Sequence, residues 1–222
     1  MARLRVFTGH FGSGKTEIAL NYAVQLAKRK QNSRVCVVDL DIVNPYFCSR
    51  DVSGFLQSQG IRLISAAPHL ANAELGVISP EVLSVFNDKS YDVVIDVGGD
   101  DIGAVALGQY LRYFRQEPYI MYFVINKHRP LTATKQNVID YLHRIEAASR
   151  LNVTALVSNT NMSYETTAAD VLMGDRFVAH LAEELQLSHA FTVSTTDLME
   201  QLEGKTKAPL LGMQIFMKPP WM

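Results

Sequence analysis

Gly9-His10-Phe11-Gly12-Ser13-Gly14-Lys15-Thr16 fills every fixed position of a G-x-x-x-x-G-K-[ST] run, the Walker A pattern, directly behind the apolar stretch Leu4–Phe7. The glycines allow backbone N–H groups to turn inward around a β-phosphate. Lys15 is placed to reach the β- and γ-phosphates, and the Thr16 hydroxyl to ligate Mg²⁺. Such a P-loop must be followed by a helix whose positive end faces the same anion. Ile18, Ala19, Tyr22, Ala23, Leu26 and Ala27 supply its apolar face, and Lys28-Arg29-Lys30 suit its C-terminus. The expected nucleotide contacts are Gly9, His10, Phe11, Gly12, Ser13, Gly14, Lys15, Thr16 and the adjoining Glu17.

Outward from this run, apolar β-branched segments alternate with helical ones. The strands expected are Leu4–Thr8, Arg34–Asp39, Ile61–Ser65, Asp92–Val97, Ile120–Asn126, Val153–Asn159 and Phe191–Ser194. Between them lie helices expected at Gly14–Lys30, Tyr46–Gln57, Pro80–Asn87, Gly103–Arg115, Thr132–Ala148, Thr166–Gln186 and Thr195–Leu202. The pattern predicts a doubly wound α/β fold, a mostly parallel sheet of about seven strands with helices on both faces. Residues 1–222 form a single nucleotide-binding domain in this reading, with no repeat or linker. The apolar tail Leu210–Met222, with Pro219-Pro220-Trp221, is expected to add an edge strand or cover a sheet edge.

Hydrophobic residues make up 48% and charged residues 19%, enough for a full core and unlike a disordered chain. A net charge of −1 argues against a large nucleic-acid surface. No apolar run approaches the ~18 residues of a membrane span, and no signal peptide fits the start, so a cytoplasmic protein is expected.

Ligands of such sheets sit at the carboxyl ends of the strands. Asp39 and Asp41 follow the second strand at i, i+2 and point to one side of an extended chain, beside the expected γ-phosphate and Mg²⁺. Asp96 ends the fourth strand, a costly place for a carboxylate unless it is paired or near a metal. Asp96 is therefore the expected second acidic group on Mg²⁺ beside Thr16, acting through water. One of Asp39 and Asp41 can hold the metal's water shell and the other orient the attacking water. Gly98 and Gly99 permit close backbone approach and a moving switch loop, whereas Asp100 and Asp101 suit a helix cap.

These three elements together resemble the SIMIBI class of P-loop NTPases, and within it the ParA/MinD/CobQ–CobB-like ATPases. The resemblance implies a Mg²⁺-dependent ATP-binding protein, a slow ATPase in which Asp39 and Asp96 approach the Mg²⁺ shell through water, Asp41 positions the hydrolytic water, and Asp41 and Lys15 are catalytic. It further implies a nucleotide-dependent protein partner or homodimer, serving cargo handling or assembly of a cofactor or metal centre. Many members carry an early P-loop lysine that crosses to a partner's nucleotide; here that position is His10, with Arg50 and Arg112 as other cations. The alternative is a CobQ/CobB- or dethiobiotin-synthetase-like synthetase or kinase, with a small-molecule acceptor near Pro68–Ala73. Asn126-Lys127-His128-Arg129 lacks the final carboxylate of a guanine-reading N-K-x-D element, which disfavours guanine. Asn159, by the same resemblance, contacts adenine. Cys36 reads as strand filler, Cys48 as a thin candidate for a shared metal, and the six histidines show no metal-ligand spacing.

Overall fold

The computed structural model describes residues 2–29, 34–41, 52–65 and 80–216. Eight strands, β1 (Leu4–Thr8), β2 (Arg34–Leu40), β3 (Ile61–Ser65), β4 (Tyr91–Val97), β5 (Tyr119–Ile125), β6 (Ala155–Ser158), β7 (Ser188–Thr195) and β8 (Leu210–Met213), form one sheet. Its order is β3-β2-β4-β1-β5-β6-β7-β8, and every pairing is parallel. The eighth strand comes from the apolar tail, where an edge strand was expected. Residues 217–222, including Pro219-Pro220-Trp221, lie outside the described residues.

The helices are α1 (Lys15–Arg29), α2 (Ser53–Ser58), α3 (Pro80–Asn87), α4 (Asp101–Gly108), α5 (Leu111–Phe114), α6 (Lys135–Ser149), α7 (Ala168–Leu185) and α8 (Met199–Leu202). Alternation along the strands sorts the core into two layers. Leu4, Val6, Cys36, Val38, Ile95 and Phe123 face buried residues of α3 to α7. Phe7, Val35, Val37, Val94 and Val124 face Ile18, Leu20 and Val24 of α1 and Leu56 of α2. Each central strand is thus apolar on both faces, the reason these segments read as unbroken hydrophobic runs.

The helix expected over Gly103–Arg115 is two, α4 and α5, divided at Gln109-Tyr110. Ala104, Leu107, Tyr110, Tyr113 and Phe114 are all buried, so the apolar period runs through the break and hides it. Helices α6 and α7 start three and two residues later than expected, where Thr134 and Thr167 accept the N–H groups of Asn137 and Asp170 as N-caps. Of the helix expected over Tyr46–Gln57, residues 46–51 lie outside the described residues, as do Arg50, Cys48 and the Pro68–Ala73 segment.

One charged pair lies inside the sheet. Arg5 on β1 donates to Asp92 on β4 at 2.8 Å, with both side chains almost fully buried. Removing one partner would strand the other charge in the core. Among the described residues no helix is long and apolar enough to cross a membrane.

Candidate nucleotide-binding site

The chain leaves β1 at the centre of the sheet, where connections pass to β2, β3 and β4 on one side and to β5 through β8 on the other. This switch point opens a crevice at the strand ends, and residues 9–14 fill it. The loop is closed by Ser13 N–H donating to His10 O at 2.9 Å and Ile18 N–H to Gly14 O at 3.0 Å. Gly14 has φ +83°; a Cβ there would lie 2.4 Å from Asn159 Nδ2. The N-terminus of α1, its positive end, follows directly on this loop, an arrangement suited to receiving an anion.

Lys15 and Thr16 are buried at the first turn of α1. Lys15 Nζ donates to Asp41 Oδ2 at 2.7 Å in a pair almost sealed from solvent. Asp41 N–H in turn donates to Asp39 Oδ1 at 3.0 Å. Burial alone would pull the Lys15 ammonium down, but Asp96, Asp41 and Asp39 outweigh it and hold its pKa above the usual lysine value. Across the sheet Asp39 is in register with Asp96, so both carboxylates come off adjacent strands at one level.

Asp96 is the most constrained group of the four. It is 1% exposed, and neither carboxylate oxygen has a hydrogen-bond partner of good geometry among the described residues. Burial pushes its pKa up to about 7; Lys15 pulls the other way, Asp39 and Asp41 add to the rise, and the nearby Thr16 hydroxyl only softens it. Three carboxylates therefore converge on one ammonium. When all are ionised the cluster carries an excess of two negative charges, which one divalent cation would balance. Among the described residues no group of three or more His, Cys, Asp or Glu side chains forms a metal cage by itself. That fits Mg²⁺, which is held by one or two carboxylates together with phosphates and water.

The loop after β4 closes the site from the side. A Cβ on Gly99 would sit 2.4 Å from Gly9 O and 2.9 Å from Phe11 N, so only a glycine lets this loop lie against the P-loop backbone. Gly98 lies beside Asp41 and Asp100. The Tyr141 hydroxyl of α6 donates to Gly99 O, and its ring packs edge-on against His10 at 5.2 Å. Burial lowers the His10 pKa; a ring N–H bond to the Phe11 backbone opposes the fall and Arg129 adds to it, so the imidazole is neutral near pH 7. Asp100 caps α4 by accepting Gly103 N–H at 2.8 Å, while Asp101 pairs with Arg144 on the surface.

Two of the expected nucleotide contacts, Glu17 and Asn159, have protein partners. Glu17 accepts the N–H of Phe216 in company with Asn21, which holds Gln214 through bonds of 2.8 Å in both directions. The acid thus anchors the chain after β8. Asn159 is 2% exposed, and its Nδ2 donates to Ser13 O at 2.7 Å. Its amide braces the P-loop from behind, spending one of its two N–H donors there.

Sequence reasoning missed two braces. Asn126 Nδ2 donates to Asn161 O at 2.9 Å and its Oδ1 accepts His128 N–H at 3.0 Å, tying the β5 and β6 loops together. Arg129 Nε donates to Gly12 O at 3.0 Å, laying a guanidinium over the P-loop. Arg129 stands where a guanine reader would carry its carboxylate; the missing acid was legible, but the contact with Gly12 depends on residues 117 positions apart. Cys36 is buried, and burial pushes its thiol up to about 12, as inert filler requires.

No protein-family model and no curated sequence matches this chain. Solved structures do. A nucleotide-binding protein from Archaeoglobus fulgidus in complex with ADP is similar at 15% identity and TM-score 0.51, covering 89% of this chain and 84% of that one. FtsY from Mycoplasma mycoides is similar at 16% identity and TM-score 0.54, over 85% of this chain and 59% of its own. The signal recognition particle receptor FtsY from Elizabethkingia anophelis, in complex with GDP, gives 18% identity and TM-score 0.53, over 86% and 56%. The chain spans under three-fifths of the length of both FtsY chains. The chain therefore shares its fold with these structures. One of these neighbours holds an adenine nucleotide and another a guanine nucleotide, so the fold itself does not choose the base.

Proposed function

We propose that this protein binds ATP with Mg²⁺ and hydrolyses it slowly, as a nucleotide switch coupled to a protein partner or a second copy. The observation that carries this reading is the convergence of Asp39, Asp41 and Asp96 on Lys15 beside the P-loop, with no hydrogen-bond partner of good geometry for the buried Asp96 oxygens among the described residues. Thr16, with Asp39 and Asp96 through water, would hold Mg²⁺, which supplies charge neutralisation across the β- and γ-phosphates. Lys15, paired with Asp41 in the structure, exchanges that partner for phosphate. Asp41 is then released to orient water toward the γ-phosphate. Gly98 and Gly99 lie between Asp41 and the P-loop, where a change in phosphate occupancy would move them and, through Tyr141, α6.

Adenine is favoured because Arg129, rather than an acid, ends the Asn126–Arg129 segment and is anchored over Gly12. With its imidazole neutral, His10 offers no fixed cation to a partner's nucleotide. The partner and cargo belong to the same proposal.

The test is phosphate release from ATP without any acceptor, in wild type and in Asp41→Asn, with Mg²⁺ or with chelator. The reading expects slow Mg²⁺-dependent release that falls at least tenfold in the variant while nucleotide binding persists. Release by the variant at the full rate refutes the role of Asp41; turnover only with an added small-molecule acceptor refutes the switch in favour of a synthetase or kinase.

A further inference from the structure

The three carboxylates of the site lie on one side of β1: Asp39 is on β2, Asp41 just after it, and Asp96 on β4. On that side the β4 loop lies against Gly9 and Phe11, in the first half of the P-loop. The second half is held from the other side of β1. Arg129, after β5, donates from Nε to Gly12 O at 3.0 Å, and Asn159, after β6, donates to Ser13 O at 2.7 Å. A nucleotide whose terminal phosphate and Mg²⁺ sit beside the acids must carry its nucleoside out over the β5 and β6 loops. A P-loop turns its N–H groups toward phosphate. A guanidinium bonded to the Gly12 carbonyl therefore sits outside the phosphate cradle, on the flank where the nucleoside leaves.

Arg129 is fixed in that place before any ligand arrives. Its backbone is extended ahead of Pro130, with φ −91° and ψ 132°. Its N–H donates to Asn126 O at 3.0 Å, and its carbonyl accepts Thr132 N–H at 2.9 Å. A Cβ on Gly12 would lie 2.8 Å from Nε, 3.1 Å from Cζ and 3.4 Å from Nη2, so a glycine lets the guanidinium come this close to the loop. The residue is nonetheless exposed, and its bond to the loop uses Nε alone. A surface ion pair would be the plain use of such a cation, but no carboxylate among the described residues pairs with it.

We infer that the Arg129 guanidinium is the platform on which the base of the bound nucleotide stacks. A planar cation attracts the face of an aromatic ring, and arginine does so better than lysine because its charge is spread over a plane. Anchoring the backbone and Nε in advance lowers the ordering cost of the contact. Stacking serves every base, since each has a π-face. The contact therefore adds affinity and leaves the choice of base to groups at the ring edge. The inference rests on the nucleotide reading of the P-loop, and its test separates the two.

The test is calorimetry of ADP and of inorganic tripolyphosphate, each with Mg²⁺, on wild type, Arg129→Ala and Arg129→Lys. Tripolyphosphate offers phosphates without a base. Arg129→Ala should lose about tenfold in ADP affinity and no more than about threefold for tripolyphosphate, the share of the lost charge. Arg129→Lys keeps the charge and loses the plane, so tripolyphosphate should bind as to wild type while ADP still binds more weakly. In nitrogen-15 NMR the Arg129 Nε–H signal, assigned by its loss in Arg129→Lys, should move upfield with ADP, as a proton over a ring face does, and not with tripolyphosphate. Equal losses for both probes, unchanged ADP affinity in both variants, or the same Nε–H shift with both probes overturns the stacking role while the nucleotide site stands. Wild type that binds neither probe overturns the nucleotide reading and the stacking role together.

Discussion

Replacing Asp96 with Asn should make the metal-free protein more stable at alkaline pH while destroying its response to Mg²⁺. The carboxylate is held near pKa 7 against an ordinary 3.8, chiefly by burial. Below pH 3.8 both folded and unfolded chains bind the proton, and burial of this group is nearly free. As pH rises toward 7 the unfolded chain releases the proton and the folded one keeps it, so stability falls. Above 7 the full cost remains, roughly 4 kcal/mol for a gap of about three pH units. An amide in the same place carries no charge but leaves a polar group unpartnered, costing about 1–3 kcal/mol. Lys15 keeps its 2.7 Å bond to Asp41 in the variant. The net gain expected at pH 8 is about 1–3 kcal/mol, a rise in Tm of ~2–10 °C for a chain of this size. At pH 5 only about a third of the burial cost is present, and the gain should vanish. Urea unfolding in chelator at the two pH values measures both. A variant less stable than wild type at pH 8, or a difference independent of pH, would refute the placement of Asp96 as a buried anion whose desolvation outweighs the pull of Lys15.

Other substitutions test the scaffold of the site. Asn159→Ala removes the bond to Ser13 O and should cost about 1–3 kcal/mol of stability together with nucleotide affinity; unchanged stability with a switched base preference would instead make Asn159 a base reader. Gly99→Ala puts a methyl 2.4 Å from Gly9 O, so nucleotide binding should fail in a protein that circular dichroism shows folded, and normal binding would contradict the close approach. Glu17→Gln, on the side of α1 that holds Phe216, should leave nucleotide affinity within about twofold; a large loss would return it to the binding site.

What was legible in the sequence was local or periodic. The P-loop, the strand behind it and α1 lie within 26 consecutive residues, Leu4–Arg29, and their pattern is complete without tertiary information. Continuous runs such as Val93–Ile95 disclosed strands buried on both faces. Asp39 and Asp96 could be paired because both end apolar strands, and the register confirms that they lie side by side. The division between α4 and α5 was hidden because Tyr110 is buried in phase with the helices on either side. The protein contacts of Glu17 and Asn159 were hidden for another reason. Their partners, Phe216 and Ser13, lie 199 and 146 positions away, and nothing in a neighbouring residue type announces such a contact. The Asp41 carboxylate is a third case: its spacing from Asp39 was visible, but its bond to Lys15 required the folded crevice.

Titration calorimetry of ATP into wild type and Lys15→Ala, each with Mg²⁺ and then with chelator, bears on the central claim most directly. Saturable binding by wild type that weakens without Mg²⁺, and no measurable binding by the folded Lys15→Ala variant, is the predicted result. Failure of folded wild-type protein to bind ATP with Mg²⁺ present, or equal binding by the variant, would contradict it.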